Sequence, residues 1–468
     1  MPATLFRFRL EIADTPEPNM EAYFYALPVE ADQTGQVLSR PEILTFLKSL
    51  GVVFGILDHA IERIVQRGYA HRELIARGLA PLRGSDAYFQ VLVSDRQSRY
   101  EALFSRLPRP EDEKWLDRLM SMTVQAGSPL LRRLPACPGA PGRNIKGQLV
   151  SGYKGMDRPF PPFYNAQISP QDKHLLVAMN EGIPAVDLPH LIEVLPLTII
   201  RRDLAESRYF KGIVAICGNI PDQIRVRAES DILVLGTVDA AVLLSGRRIW
   251  IRQGVKGKDI AVLKARDDIL LRFAERATLE SGGHLRAESL HHCHAVALGE
   301  LRVNYILGGW SRSTTLCWTD VVGSPGVDSA LCCGQNAYLD SALAEAEQQI
   351  AQLEEKLLSM RSVLSSKDML QAADKQILRL YYRNRIPRLE YLLYHLKFYW
   401  RRLQGYQAAS RQAAIEIETG IYPGTLLMIH QLEMEIQEFV NQPRRYLAGR
   451  YGIMPDRTAV YDQSSLLT

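Results

Sequence analysis

Apolar residues in the centre of the chain recur at the spacing of stacked coils rather than of helix turns. Between about Lys211 and Leu307, short aliphatic runs alternate with polar turns, and the apolar residues that follow the turns are Ile232, Ile249, Ile269, Leu285 and Leu301. Their separations of 17, 20, 16 and 16 residues are too short for a propeller blade or a helical-pair repeat. They suit one coil of a β-solenoid, in which each turn bonds to the next through in-register ladders. Within the coils residues alternate, as in Ile249-Trp-Ile251, Leu285-Arg-Ala287 and Leu301-Arg-Val303, which places aliphatics inside and Arg or Trp outside. An antiparallel sandwich of evenly spaced strands is the competing pattern. The absence of Asn-Gly and Asp-Gly hairpin dipeptides from this stretch favours the solenoid.

After Gly334 the period changes. Leu343, Ala346, Ile350, Leu353, Leu357, Met360 and Leu364 alternate spacings of three and four, an a/d heptad seam. A second stripe, Leu389, Leu392, Leu396, Tyr399 and Leu403, follows a polar break, which predicts an antiparallel coiled-coil hairpin with its tip near residue 370. Pro387 should bend or break the second arm. The first arm carries Glu345, Glu347, Glu354 and Glu355 and the second is basic; folding at the tip sets Arg385 and Arg388 opposite the upper glutamates and Lys397 near Glu345. Interleaved Tyr381, Tyr382, Tyr391, Tyr394 and Trp400 raise the alternative of a polyanion or membrane surface, against which charge pairing is preferred. Beyond the hairpin, Ile415-Glu-Ile417, Leu427-Met-Ile429 and Leu432-Glu-Met434-Glu-Ile436 alternate with period two, so strands resume and rejoin the solenoid.

The N-terminal part reads as a small α/β region. Met1 to Leu10 alternates like a strand, Pro41 to Gly51 carries helix punctuation at both ends, Asp58–Arg67 has apolar residues at helical spacing, and Tyr88-Phe-Gln-Val-Leu-Val is a strand candidate. Pro135 to Gly147 can continue neither a helix nor a central strand and reads as a connector; it lacks the order of a phosphate-binding loop. The fold class is therefore mixed α and β. The expected domains are an α/β region at 1–205, a parallel β-helix at 206–335, the coiled-coil hairpin at 336–408 and a C-terminal β segment at 409–468.

Composition narrows the function. With 56 Lys+Arg against 52 Asp+Glu, the 468 residues carry a net charge of only +4, so a nucleic-acid role for the whole chain is not expected. Six cysteines are too sparse for a disulfide scaffold, which fits a reduced cytoplasm. The most apolar stretch, Ile232 to Ser245, contains Asp239 and Gly236 and is too short to span a bilayer, and the N-terminus lacks a signal-peptide core.

The cluster His291-His-Cys-His294, with His284 before it, invites a zinc reading. In a straight strand, however, His292 and His294 share one face and His291 and Cys293 the other, so the run alone cannot close a site. No metal or cofactor is expected. Cys332-Cys333 alternate faces and read as small buried apolar residues. Neither G-x-S-x-G, H-E-x-x-H nor a dinucleotide glycine fingerprint occurs. Exported polysaccharide lyases and hexapeptide-repeat acyltransferases, the enzymes that use solenoids, do not match the missing leader and the 16–20-residue spacing, so no catalytic residue is assigned.

Several motifs together resemble one family. Gly127-Ser-Pro-Leu-Leu-Arg, Pro138-Gly-Ala-Pro-Gly-Arg-Asn-Ile-Lys-Gly147, the earlier Gly51-Val-Val-Phe-Gly-Ile and Ile75-Ala-Arg-Gly-Leu-Ala-Pro, then Tyr305-Ile-Leu-Gly-Gly, Val322-Gly-Ser-Pro-Gly-Val and Ile421-Tyr-Pro-Gly look like the flagellar assembly protein A (FapA) family in its order. The likeness covers nearly the whole chain. Arg247-Arg248 and Arg266-Asp267 stand where the family has more Gly-Gly or Gly-Asp corners. The resemblance implies a cytoplasmic bacterial protein with a right-handed parallel β-helix, tied to flagellar assembly or polar flagellar placement through contacts with flagellar or cell-pole machinery. A cell-division or cytoskeletal-polymer regulator of the MinC type is the alternative, by fold analogy alone. Solenoid ends expose unpaired ladder groups, which must be capped or else recruit another subunit, so a homo-oligomer is expected. The candidate oligomer or partner contacts are Leu353, Leu357, Met360, Leu392 and Leu396.

Overall fold

The computed structural model describes residues 6–28, 38–108, 114–365 and 372–456. Two compact units form: residues 1–90 with 131–160, and residues 91–130 with 161–468. In the first, strands Phe6–Ala13, Glu21–Pro28 and Ala70–Arg77 make an antiparallel sheet. Helices α1 (Arg40–Ser49) and α2 (Asp58–Arg67) bury Ile43, Leu47, Ile61 and Ile64 in the same core as Phe24 and Ile75. Ser39 opens α1 as a capping box with Glu42, satisfying amides that helix geometry leaves unpaired. The Pro/Gly stretch is a connector with one two-residue hairpin, Gly142–Arg143 against Leu149–Val150. Its glycines allow backbone to lie on backbone: a Cβ on Gly139 would sit 1.9 Å from the Leu82 carbonyl oxygen.

The second unit is built on a parallel solenoid. Its central column runs Thr198, Val214, Ile232, Ile249, Ile269, Leu285, Leu301, Cys317 and Ile415, each residue paired in register with the next. The five residues singled out by spacing occupy consecutive rungs of this column. A second wall stacks Val226, Leu243, Leu263, Leu279 and Ala295. A third stacks Val255, Ala274, Leu290, Ile306 and Val322. All these residues except the half-buried Thr198 belong to one buried core.

The outward face of the first wall departs from the simple inside-outside reading. Its residues are Ala215, Leu233, Trp250, Leu270, then Arg286 and Arg302. The first four lie under helices α3 (Ser94–Ala102) and α4 (Trp115–Ser121), so Trp250 points out of the bore yet is buried, its ring stacked 5.1 Å from that of Trp115. The face turns basic at Arg286, beyond this cover. Polar pins hold α3: Tyr100 Oη donates to Asp231 at 2.6 Å, Arg248 donates to Asp231 from Nε and a terminal nitrogen at 3.1 Å, and Arg248 also meets Glu101 at 2.5 Å.

Of the two routes open to solenoid ends, capping or recruitment of another subunit, the chain takes capping at the finish. There, Ala414–Ile421 and Thr425–Ile429 pair antiparallel with Arg444–Ala448 and Leu432–Glu435; at the start, Gly182–Asp187 pairs antiparallel with residues 191–196, just ahead of the 197–200 rung that stacks on Ile213–Ile216. The antiparallel cap at the finish occupies the ladder groups a next coil would use. Corners between walls use left-handed residues, among them Arg276, His292 and Gly308. Gly309 follows with φ +84°, and a Cβ there would lie 2.3 Å from the Cys293 carbonyl oxygen of the coil beneath. Gly309→Val should therefore destabilise the solenoid by about 3 kcal/mol or more, combining left-handed strain with a backbone clash; a lowered thermal midpoint in circular dichroism checks it.

Helices α5 (Ala337–Ser365) and α6 (Ala372–Ala409) form the inserted hairpin. Among the described residues no helix is long and apolar enough to cross a membrane.

Candidate functional site

The hairpin leaves the solenoid at a fixed point. Gly334 turns the chain at φ +100°, and Asn336 bonds both ways: its side-chain amide donates to Thr314 Oγ1 and its oxygen accepts the Tyr338 amide, each at 3.1 Å. This is an N-cap anchored to the solenoid. The base of the hairpin is apolar, with Leu339, Leu343 and Leu403 packed on Val296 and Leu298. Arg361–Glu390 and Lys397–Glu354 ion pairs and a Trp400–Glu347 hydrogen bond show antiparallel arms. Lys397 thus meets Glu354 rather than Glu345, and Arg388 reaches Glu229 on the solenoid at 3.7 Å. Pro387 does not break α6, which runs helical through it; a proline removes one amide donor, and the turns on either side hold. The expected tip near 370 and the side chains of Leu364, Tyr381 and Tyr382 lie outside the described residues.

Between α6, the first part of α5 and the outer face of the second wall lies a cleft of about 1160 Å³. Its floor is a row of outward residues on successive coils: Tyr209, Arg227, Leu244, Lys264 and Glu280. Its far end is polar and tightly packed. His395 lies 3.6 Å from the buried Glu193, Tyr391 stacks on Tyr164 at 4.5 Å, Tyr394 bonds to Asp187, and Arg402 pairs with Asp267 at 2.7 Å. Burial pushes the Glu193 carboxyl up, but the facing His395, the Arg247 guanidinium and Tyr391 outweigh it and hold it below the ordinary range. Burial pushes Arg402 down, and Asp267 more than compensates. Arg247 and Arg266, the charged corners noted in the sequence, both border this cleft. Tyr399 from α6 takes the Arg266 guanidinium 5.6 Å from its ring centre.

The five seam residues divide. Leu357, Met360 and Leu396 are buried and Leu353 is half-buried, whereas Leu392 is exposed and faces the cleft. The histidine run does not keep straight-strand alternation. His292 sits at a corner with φ +49°, which resets the phase: Cys293 points into the core with Leu290, while His294 stacks on Trp310 at 4.7 Å. Among the described residues no three metal-ligating side chains converge. Of the adjacent cysteines, Cys333 enters the bore, where Ser313 Oγ lies 3.1 Å from Cys317 Sγ and 3.3 Å from Cys333 Sγ; Cys332 lies on the other face, beside Met428.

Sequence reasoning missed the cleft and the Tyr100–Asp231–Arg248 network. The available signal was the pair of charged corners at Arg247-Arg248 and Arg266-Asp267, where adjacent charges sit at solenoid turns. Residues 12–188 match the family model of the Flagellar Assembly Protein A N-terminal region, and residues 198–448 that of the Flagellar Assembly Protein A beta solenoid domain. No curated protein and no solved structure matches the chain.

Proposed function

The chain belongs to the Flagellar Assembly Protein A family, and on that premise we propose that it works in flagellar assembly as a non-catalytic cytoplasmic scaffold, acting through protein contacts with flagellar or cell-pole machinery. One observation carries this reading: three acids of the cleft are spent on holding the hairpin to the solenoid. Glu193, Asp267 and Glu229 each face a side chain of α6, an arrangement that serves docking of an arm rather than attack on a substrate. A deep bore filled with aliphatic side chains leaves the walls, the hairpin and the cleft as the working surfaces.

Self-association is part of the proposal; the antiparallel cap at the finish disfavours continued end-to-end stacking, which favours a lateral route. The outer side of α5 offers Leu358, 74% exposed. Light scattering over a range of concentrations should give a mass above one chain; a monomer throughout overturns this part. Deletion in the host should impair motility or misplace the flagellum, with cell length unchanged. Motile, elongated cells would overturn the flagellar reading and favour a role in division.

A further inference from the structure

We infer that the cleft and the groove continuous with it form a docking site for an acidic amphipathic segment of a partner protein. This rests on the protein-contact reading above and specifies where and with what chemistry the contact occurs.

Exposed large apolar side chains concentrate here. Phe398 is 55% exposed and Tyr209 50%, and Leu244, Tyr338 and Leu392 are also exposed; all five line the one cleft. Apolar surface gathered in a concavity is the usual signature of a binding site. A second hollow of about 440 Å³ extends it along the same wall, sharing Tyr209, Arg227 and Leu244. The groove thus runs from an apolar section under the hairpin to an open section bordered by Arg225 and Arg227.

Charge selects the occupant. The acids of the groove have partners: Glu229 takes Arg388 and Tyr209, Glu280 takes Lys264, Asp187 takes Tyr394, and Asp267 takes Arg402. Glu345 accepts from Gln349, Glu193 faces His395, Asp268 accepts the His284 amide, and Glu101 holds Arg248. Arg225 and Arg227 are exposed and carry no ion pair among the described residues. The open section is lined by Arg208, Arg225 and Arg227 and by no acid, so its field is positive, beside an apolar trough. A segment with Leu or Phe on one face and Asp or Glu on the other complements both.

A photo-crosslinking amino acid placed at Leu244 or Leu392 of the full chain in its native host tests this, with Ile260, exposed on the solenoid, as control position. Mass spectrometry should place the adduct on an acidic amphipathic stretch of another protein, absent from the control. A synthetic peptide of that stretch should bind the purified full chain, and Arg225→Glu with Arg227→Glu should weaken it at least about tenfold. The paired lysine variant should keep most of the affinity, and circular dichroism should show both variants folded. Adducts on lipid, on a second copy of this chain or on a basic segment overturn the inference, as does absence of any adduct at both positions. Lost motility on deletion with no groove adduct would leave the flagellar role standing and the docking site refuted.

Discussion

Replacing Asp231 with alanine should lower the stability of the solenoid unit by about 3–5 kcal/mol, the range for removing one partner of a buried ion pair. Asp231 is fully buried and accepts from Tyr100 and three donors of Arg248, its backbone amide included. Without it, Arg248 keeps Glu101, whose side chain is nearly half exposed, and the rings of Phe104 and Tyr100, centred 3.6 and 5.6 Å from the guanidinium carbon. The stacked Trp115 and Trp250 lie in the cluster that α3 covers, so urea unfolding followed by tryptophan fluorescence reports the loss. A double variant with Arg248→Met should recover much of the stability, because the buried charge goes with its partner. Burial pushes the Asp231 carboxyl up, but Arg248 and Arg247 pull harder and leave it below the ordinary range. Its contribution is therefore complete above the unfolded carboxylate value near ~3.9 and fades as pH falls through the lower folded value. At a pH below both, wild type and Asp231→Ala should converge.

Leu285→Asp should be more severe, costing at least about 5 kcal/mol, through loss of leucine burial together with a carboxylate that has no partner. Leu285 sits in the central column between Ile269 and Leu301 and is fully buried. The expected result is little soluble protein, or a flattened strand signal in circular dichroism. Arg286→Asp is the control at the next position, which points out of the bore. It should lose only the hydrogen bond to the Ser105 carbonyl, roughly 1 kcal/mol with added surface effects. Equal damage from the two would contradict the assignment of inner and outer faces.

The difference between those neighbours explains what could be read in advance. Ile232, Ile249, Ile269, Leu285 and Leu301 face a bore that every coil must fill, so the same demand recurs and leaves a period. Ala215, Leu233, Trp250 and Leu270 answer a different demand, that of two short helices lying on one stretch of wall. A strand buried on both faces reads as an unbroken apolar run and conceals which face is which. Helix α3 gives little sign of itself, since Tyr100 is the only buried residue in Ser94–Ala102. The cleft was hidden for a further reason. Arg402 and Asp267, or His395 and Glu193, are neighbours only after the hairpin folds back, and neither partner's local pattern encodes the other. The histidine run was misphased because a single left-handed residue, His292, turns a corner inside what looks like one strand.

The placing of the hairpin bears on how the molecule is made. Cys317 stacks directly on Ile415, and Trp318 bonds to Glu418 across 100 residues of chain. Closing so long a loop carries an entropy cost that delays the final coil. The two arms lessen the delay, because once they zip together both cut ends of the solenoid are brought side by side. Assembly thus has a built-in order: early coils first, then the arms, then the terminal coil with its cap. A ribosome-bound chain halted inside α6 would hold a solenoid still open at its growing end, and that surface is the one most in need of protection during synthesis.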